Sequence, residues 1–310
     1  MKKFTKGALI TVLVLVILGC TLCVIGAVVG FRYSSIPQMI REGKFNIGPD
    51  DIWDGWDGWN SWESWENGEK GEFVFSQKDS AFINNLDINV DSGMLVIEEG
   101  AKNQGIHVEV MYRKENSKRD IKVEKEKDTL KISENGYSKL FQNDEVRVVV
   151  QVPADKEYKD VDLKNSAGEI TIDYVMNAEN VNIDVGAGEC AFYKELQISD
   201  TLYAKVDAGE IDFAKISAGK IELNAGIGEI SAETADAEEV ILDCGVGELN
   251  VTLQGTEADY NYNIDCGVGE VEVDGKSYSG LGASKEFNHG GSRSMDISCG
   301  VGEINVEFAK

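Results

Sequence analysis

The stretch Asp-Cys-Gly-Val-Gly-Glu stands at Asp243 to Glu248 and again at Asp265 to Glu270, and as Ser-Cys-Gly-Val-Gly-Glu at Ser298 to Glu303. Looser copies precede it at Asp184 to Glu189 and Asn224 to Glu229, and a shortened form stands at Ser166 to Glu169, Asp207 to Glu210 and Ser217 to Lys220. A short repeat of this kind restricts a chain to architectures in which each unit packs chiefly on its neighbours.

In the last copy Ile297, Cys299 and Val301 alternate with polar residues or Gly, and Ile304, Val306 and Phe308 alternate again after a shift of three. Period-two alternation buries one face of a β-strand, and a change of phase turns that face outward unless the chain bends. Each copy therefore reads as two short strands joined at a glycine corner, Gly being the residue that tolerates unusual backbone angles. The corner residues Glu169, Glu189, Glu210, Glu229, Glu248 and Glu270 are separated by 20, 21, 19, 19 and 22 positions, with Lys220 as an extra corner partway. That is the length of one solenoid turn. The expected class is all-β, a parallel β-helix or β-solenoid repeat domain preceded by one transmembrane helix.

The segment before the repeat carries longer, less regular alternation. Strands are expected at Leu86 to Val90, Met94 to Glu98, Ile106 to Tyr112, Ile121 to Lys125, Thr129 to Ser133 and Glu145 to Val152, with Asp91-Ser92-Gly93 echoing the repeat's corner. Asp274 to Arg293, rich in Gly and Ser, reads as a surface loop before the final copy. Little follows Phe308, so the solenoid end is expected to be uncapped and open to self-association, a contact that would need Ile304 and Val306.

Residues 7–30 hold 24 positions without a charge, preceded by Lys2, Lys3 and Lys6. A helix of that length passes the roughly 30 Å hydrocarbon core, and the lysines place the amino terminus in the cytoplasm. The expected organisation is a cytoplasmic tail over 1–6, a membrane helix over 7–30, an acidic Trp-rich tether over 31–72 and a β-solenoid over 73–310, the last two outside the cell. A cleaved signal, or lipoprotein processing at Cys20, is the rival reading of the same stretch.

Within the tether Trp53, Trp56, Trp59, Trp62 and Trp65 recur every three residues among Asp, Gly, Asn, Ser and Glu. On an extended helix of three residues per turn they form one stripe. They are the candidate interaction residues, for a groove, for wall sugars or for the membrane interface. The other reading is an acidic tether whose tryptophans pack loosely on the solenoid. A formal net charge of -25 argues against nucleic acid as a partner.

Corner glutamates stacked by coiling would repel unless solvated or bridged by a cation. Glu229, Glu248 and Glu270 are weak candidates for a calcium ladder, since calcium takes several oxygen ligands; solvated corners are the alternative, and no metal site is expected. Cys244, Cys266 and Cys299 share one inward slot with Val185 and Ala225 and read as buried thiols, with disulfides between neighbouring turns left open. Catalysis has little to stand on: there are 2 histidines, His107 and His289, and no nucleophile elbow or phosphate loop. No catalytic residue and no cofactor is expected.

The run Val148-Val149-Val150-Gln151-Val152-Pro153, followed by Val161-Asp162-Leu163 and Ser166-Ala167-Gly168-Glu169-Ile170, and the closing Asp296-Ile297-Ser298-Cys299-Gly300, resembles the bacterial putative-adhesin domain family. The resemblance covers roughly Phe82 to Phe308. It implies a β-strand-repeat domain of the bacterial cell envelope, without established biochemical function. The resulting expectation is a non-enzymatic, single-pass envelope protein acting as an interaction scaffold toward the cell wall or an envelope protein. An accessory of an envelope stress response working through a membrane partner is the alternative.

Overall fold

A computed structural model describes residues 70–102, 104–112, 120–135, 146–279 and 282–309. All of them fall in one compact unit, Trp65–Lys310. The expected tail, membrane helix and Trp53, Trp56, Trp59, Trp62 and Trp65 lie outside the described residues. Among the described residues no helix is long and apolar enough to cross a membrane.

The first elements are β1 (Lys70–Val74), a short helix α1 (Gln77–Ala81), β2 (Asn85–Glu99), β3 (His107–Tyr112), β4 (Asp120–Glu126), β5 (Thr129–Asn135) and β6 (Val146–Val152). Every strand expected between Leu86 and Val152 is present, the first two joined as β2. The folded unit begins earlier than the expected boundary at 73, because Lys70 to Val74 pair antiparallel with β3, which takes Lys70 to Glu72 out of the tether.

The regular turns are carried by β7 (Glu157–Asp173), β8 (Met176–Val185), β9 (Glu189–Val206), β10 (Glu210–Ala225), β11 (Glu229–Cys244) and β12 (Glu248–Gln254). Each turn lays one strand on a first face, bends at the Gly corner and lays a shorter strand on a second face. Neighbouring turns pair in parallel and in register: Lys220 to Ala225 lie beside Glu239 to Cys244 on the first face, and Glu210 to Phe213 beside Glu229 to Ala232 on the second. Because nearly every copy offers an apolar inward residue at the same place, side chains stack in columns. Leu223 and Leu242, Ile211 and Ile230, and the rings of Phe192 and Phe213 with centroids 5.0 Å apart form the spine of the core. β2 is the first regular turn, its Gly93 level with Gly168, so Asp91-Ser92-Gly93 is indeed a corner. Lys220, level with Thr201 and Glu239, starts the first-face part of β10 just after a register break between Ser217 and Lys220, so the extra corner expected there is the return bend of the turn and not another Gly-Glu corner. The Ala-Gly-Lys stretch copies the corner's composition but not its position in the turn.

The remaining strands are β13 (Tyr260–Cys266), β14 (Glu270–Val273), β15 (Lys276–Ser279), β16 (Ala283–Phe287), β17 (Arg293–Cys299) and β18 (Glu303–Ala309). Their order in space is not their order in the chain. β17 lies between β11 and β13, and β18 between β12 and β14. The final sequence copy is therefore an inner turn, and Ile304 and Val306 are buried within it. The cause is local: Asp274 and Gly275, at φ 48° and 75°, make the two-residue hairpin turn that folds β15 back antiparallel on β14. β16 pairs antiparallel with β13 in the same way. That side of the turn is thus occupied, and the last copy can dock only on the other. The expected loop over Asp274 to Arg293 holds two capping strands, and the solenoid end is covered, not open. At the opposite end β3 and β4 cap β6 and β5 antiparallel. Charged outward residues on β4, Asp120, Lys122, Glu124 and Glu126, guard that edge against further pairing.

Candidate interaction surface

The corners carry the surface that the repeat builds. The second glycine of each motif stacks on its counterpart one turn below, in the spatial order Gly93, Gly168, Gly188, Gly209, Gly228, Gly247, Gly302 and Gly269. A Cβ on Gly209 would overlap the carbonyl oxygen of Gly188, and one on Gly247 that of Gly228. Close approach of successive backbones, more than an unusual backbone angle, is what demands glycine here. The bend that results turns the next residue, the corner glutamate, outward on the second face.

Those glutamates form a column, Glu169, Glu189, Glu210, Glu229, Glu248, Glu303 and Glu270. Glu229 and Glu248 are neighbours, but Glu303 stands between Glu248 and Glu270, so the expected set is not contiguous. Like charges at about one turn's spacing repel, and the residue two positions on relieves this where it can donate. Asn250 Nδ2 donates to Glu248 Oε1 at 2.8 Å and to Glu229 Oε1 at 3.4 Å, and Asn305 Nδ2 to Glu303 Oε1 at 3.1 Å. Thr171 and Ser231 donate to Glu169 and Glu229, and Ser277 of the capping strand β15 to Glu270.

At two turns that position is Ala191 or Asp212. There burial, then the Asp212 carboxylate, then Glu229 and Glu189 push the Glu210 carboxyl up to about 7. Glu189 is raised as well, by burial first and then by Glu169 and Asp212. Among the described residues no three His, Cys, Asp or Glu side chains come together as a metal-ion site.

Directly before the glycine, at the tip of the corner, Ile227, Val246, Val301 and Val268 follow one another in space as an exposed aliphatic ridge. Sequence reasoning placed Val301 in the strand alternation and missed the ridge; the signal was the apolar residue held between the two glycines of each full copy.

Inside the corner Cys244, Cys299 and Cys266 occupy the slot of Val185 and Ala225, as the alternation predicts, with Cys299 in the middle. All three, and Cys190, are free and buried. Burial first, then the adjacent Cys244 and Cys266, pushes the Cys299 thiol up to about 12, and its Sγ donates to the Gly302 carbonyl at 3.1 Å. These are packing groups. Asn165 sits in the same column, buried, with neither side-chain polar atom hydrogen-bonded. Arg293 donates to the Gln254 carbonyl and pairs with Asp236 at 2.8 Å, bracing β17 against its neighbours.

A chain built this way is a β-solenoid repeat protein: on its surface, equivalent residues of successive turns stand in columns several turns long. Residues 83–199 match the model of the Toastrack DUF4097 family. Among solved structures, a putative adhesin from Parabacteroides distasonis is 12% identical and aligns over 78% of this chain and 97% of its own, with a TM-score of 0.46. A putative adhesin from Parabacteroides merdae is 13% identical over 79% and 97%, with a TM-score of 0.41. A putative lipid binding protein from Parabacteroides distasonis is 16% identical over 79% and 98%, with a TM-score of 0.36. Comparison with curated proteins finds no match.

Proposed function

We propose that this chain is a non-catalytic interaction scaffold, held by a single membrane span over 7–30 and displaying its solenoid outside a bacterial cell. The observation that carries this reading is the corner surface: several turns present the same aliphatic tip and the same carboxylate in register, a repeated surface suited to binding along its length. Support for display outside the cell comes from the uncharged stretch after Lys2, Lys3 and Lys6. The tryptophans at 53, 56, 59, 62 and 65 supply a second contact, to wall sugars or to an envelope protein.

Co-sedimentation of the full chain with isolated cell envelopes tests this reading. Wild-type chain pelleting with envelopes, and losing much of that binding when all five tryptophans become Ala, is the expected result. A chain that stays in the supernatant in both forms would remove the scaffold reading. The weight would then pass to the accessory role, through a partner beside the membrane span.

A further inference from the structure

The aliphatic ridge has a defined geometry. Val246 N–H donates to the Gly226 carbonyl, Val301 to Gly245 and Val268 to Gly300, at 2.7 to 2.8 Å, which locks the four tips into one line. Ile227, Val246, Val301 and Val268 are each 42 to 47% exposed, while the earlier turns carry Ser92, Ala167, Ala187 and Ala208 at this place. The tips therefore succeed one another at about 4.8 Å, the strand spacing.

One flank of the line is acidic throughout and the other at alternate positions. On one side run Glu229, Glu248, Glu303 and Glu270. On the other run Asn224, Asp243, Ser298 and Asp265. Of these 8 flanking residues 6 are acids and none is a base. An apolar strip with a polar rim is the form of an interaction site, and the sign of the rim selects a cationic partner.

The backbone form of that partner follows from the strip. An extended strand laid on the ridge would send every second side chain away from it, so its bases could not reach both flanks. An α-helix presents a narrow stripe at i, i+3, i+4 and i+7, rising about 5.4 Å per turn, with the adjoining positions on both sides of the stripe. Three helical turns thus span roughly the length of four solenoid turns, and Lys or Arg beside the stripe would face the glutamate column on one side and Asp243 and Asp265 on the other, as flanking charges do in a coiled coil.

We propose that the ridge of Ile227, Val246, Val301 and Val268 docks a basic amphipathic helix of a protein partner, its aliphatic stripe on the ridge and its bases on the glutamate column and on Asp243 and Asp265. This names the partner class for the scaffold reading and rests on that reading. A protein of this charge attracts any polycation, so the discriminating quantity is the preference for a stripe over the same residues disordered in sequence.

The test uses the purified full chain and two labelled synthetic peptides of about 18 residues, long enough for marginal helix formation. One has a Leu stripe flanked by Lys; the other has the same composition scrambled. Fluorescence anisotropy at about 0.15 M salt, where long-range attraction is screened, should show the striped peptide binding about tenfold tighter. The double variant Val246→Ser, Val301→Ser should abolish that preference while still binding the scrambled peptide. Asp243→Asn with Asp265→Asn should weaken the striped peptide severalfold, and Tyr193→Ser, exposed but off the ridge, should change neither. Equal affinity of the two peptides for the wild-type chain, or a preference that survives the ridge variant, would overturn the proposal. Failure of envelope binding with the peptide preference intact would instead retire the scaffold reading alone.

Discussion

Asn305 donates from Nδ2 to Oδ1 of Asn250 at 3.0 Å across 55 positions of the chain. The contact exists because β18 stacks on β12, placing the last repeat copy inside the solenoid with β14 beyond it. Glu248, Glu303 and Glu270 are consecutive in space although 303 follows 270 in the chain.

If the last copy is an inner turn, its core residues carry the stability of a buried position. Ile304→Ala should cost about 2 to 5 kcal/mol, read as a fall in the urea midpoint with an unchanged slope. A near-neutral result would place β18 at an open edge.

The glycine stack makes a sharper demand. Gly209→Ala drives a Cβ into the Gly188 carbonyl and should cost about 3 kcal/mol or more. Gly275→Asn, in the left-handed turn with nothing within 4 Å of an added Cβ, should cost under about 1 kcal/mol. Comparable thermal shifts for the two variants would contradict the close stacking of the corners.

The Glu210 carboxyl titrates near pH 7 in the folded chain and near its ordinary value when unfolded. A raised carboxyl pKa means that the protonated form is the one folding favours. The cluster's contribution is thus greatest below about pH 4.5 and is lost as pH rises through 7. Glu210→Gln should raise the melting temperature at pH 8 and change it little at pH 5. An equal shift at both values would show that Glu210, Asp212 and Glu189 are not coupled.

Asn165 is the one polar member of the inward column that holds Val185, Val206, Ala225 and Cys244. Its side chain makes no hydrogen bond there, so Asn165→Val should stabilise the chain by about 1 to 3 kcal/mol in denaturant unfolding. Destabilisation would mean that the amide is satisfied.

Much of this was legible in the sequence because the repeat places an apolar inward residue at the same position of nearly every turn. The shared slot of Cys244, Cys266 and Cys299 follows from alternation alone, as do the strands now joined in β2. Spatial order does not follow, because copies ending at Glu248, Glu270 and Glu303 are locally interchangeable and only long-range docking separates them. The decisive local signal was Asp274-Gly275, a hairpin turn hidden in a Gly- and Ser-rich stretch. β1 was missed because Lys-Gly-Glu-Phe-Val continues the acidic run before it, and its strand character comes from pairing with β3.

Display of the solenoid outside the cell is the claim on which the scaffold reading stands, and Val268→Cys reports on it. The replaced side chain is exposed, whereas Cys190, Cys244, Cys266 and Cys299 are buried, so with Cys20 and Cys23 changed to Ser the new thiol is the reactive one. A membrane-impermeant maleimide added to intact bacterial cells expressing the chain should label Val268→Cys as fully as it does after lysis. Labelling that appears only after lysis would contradict the account.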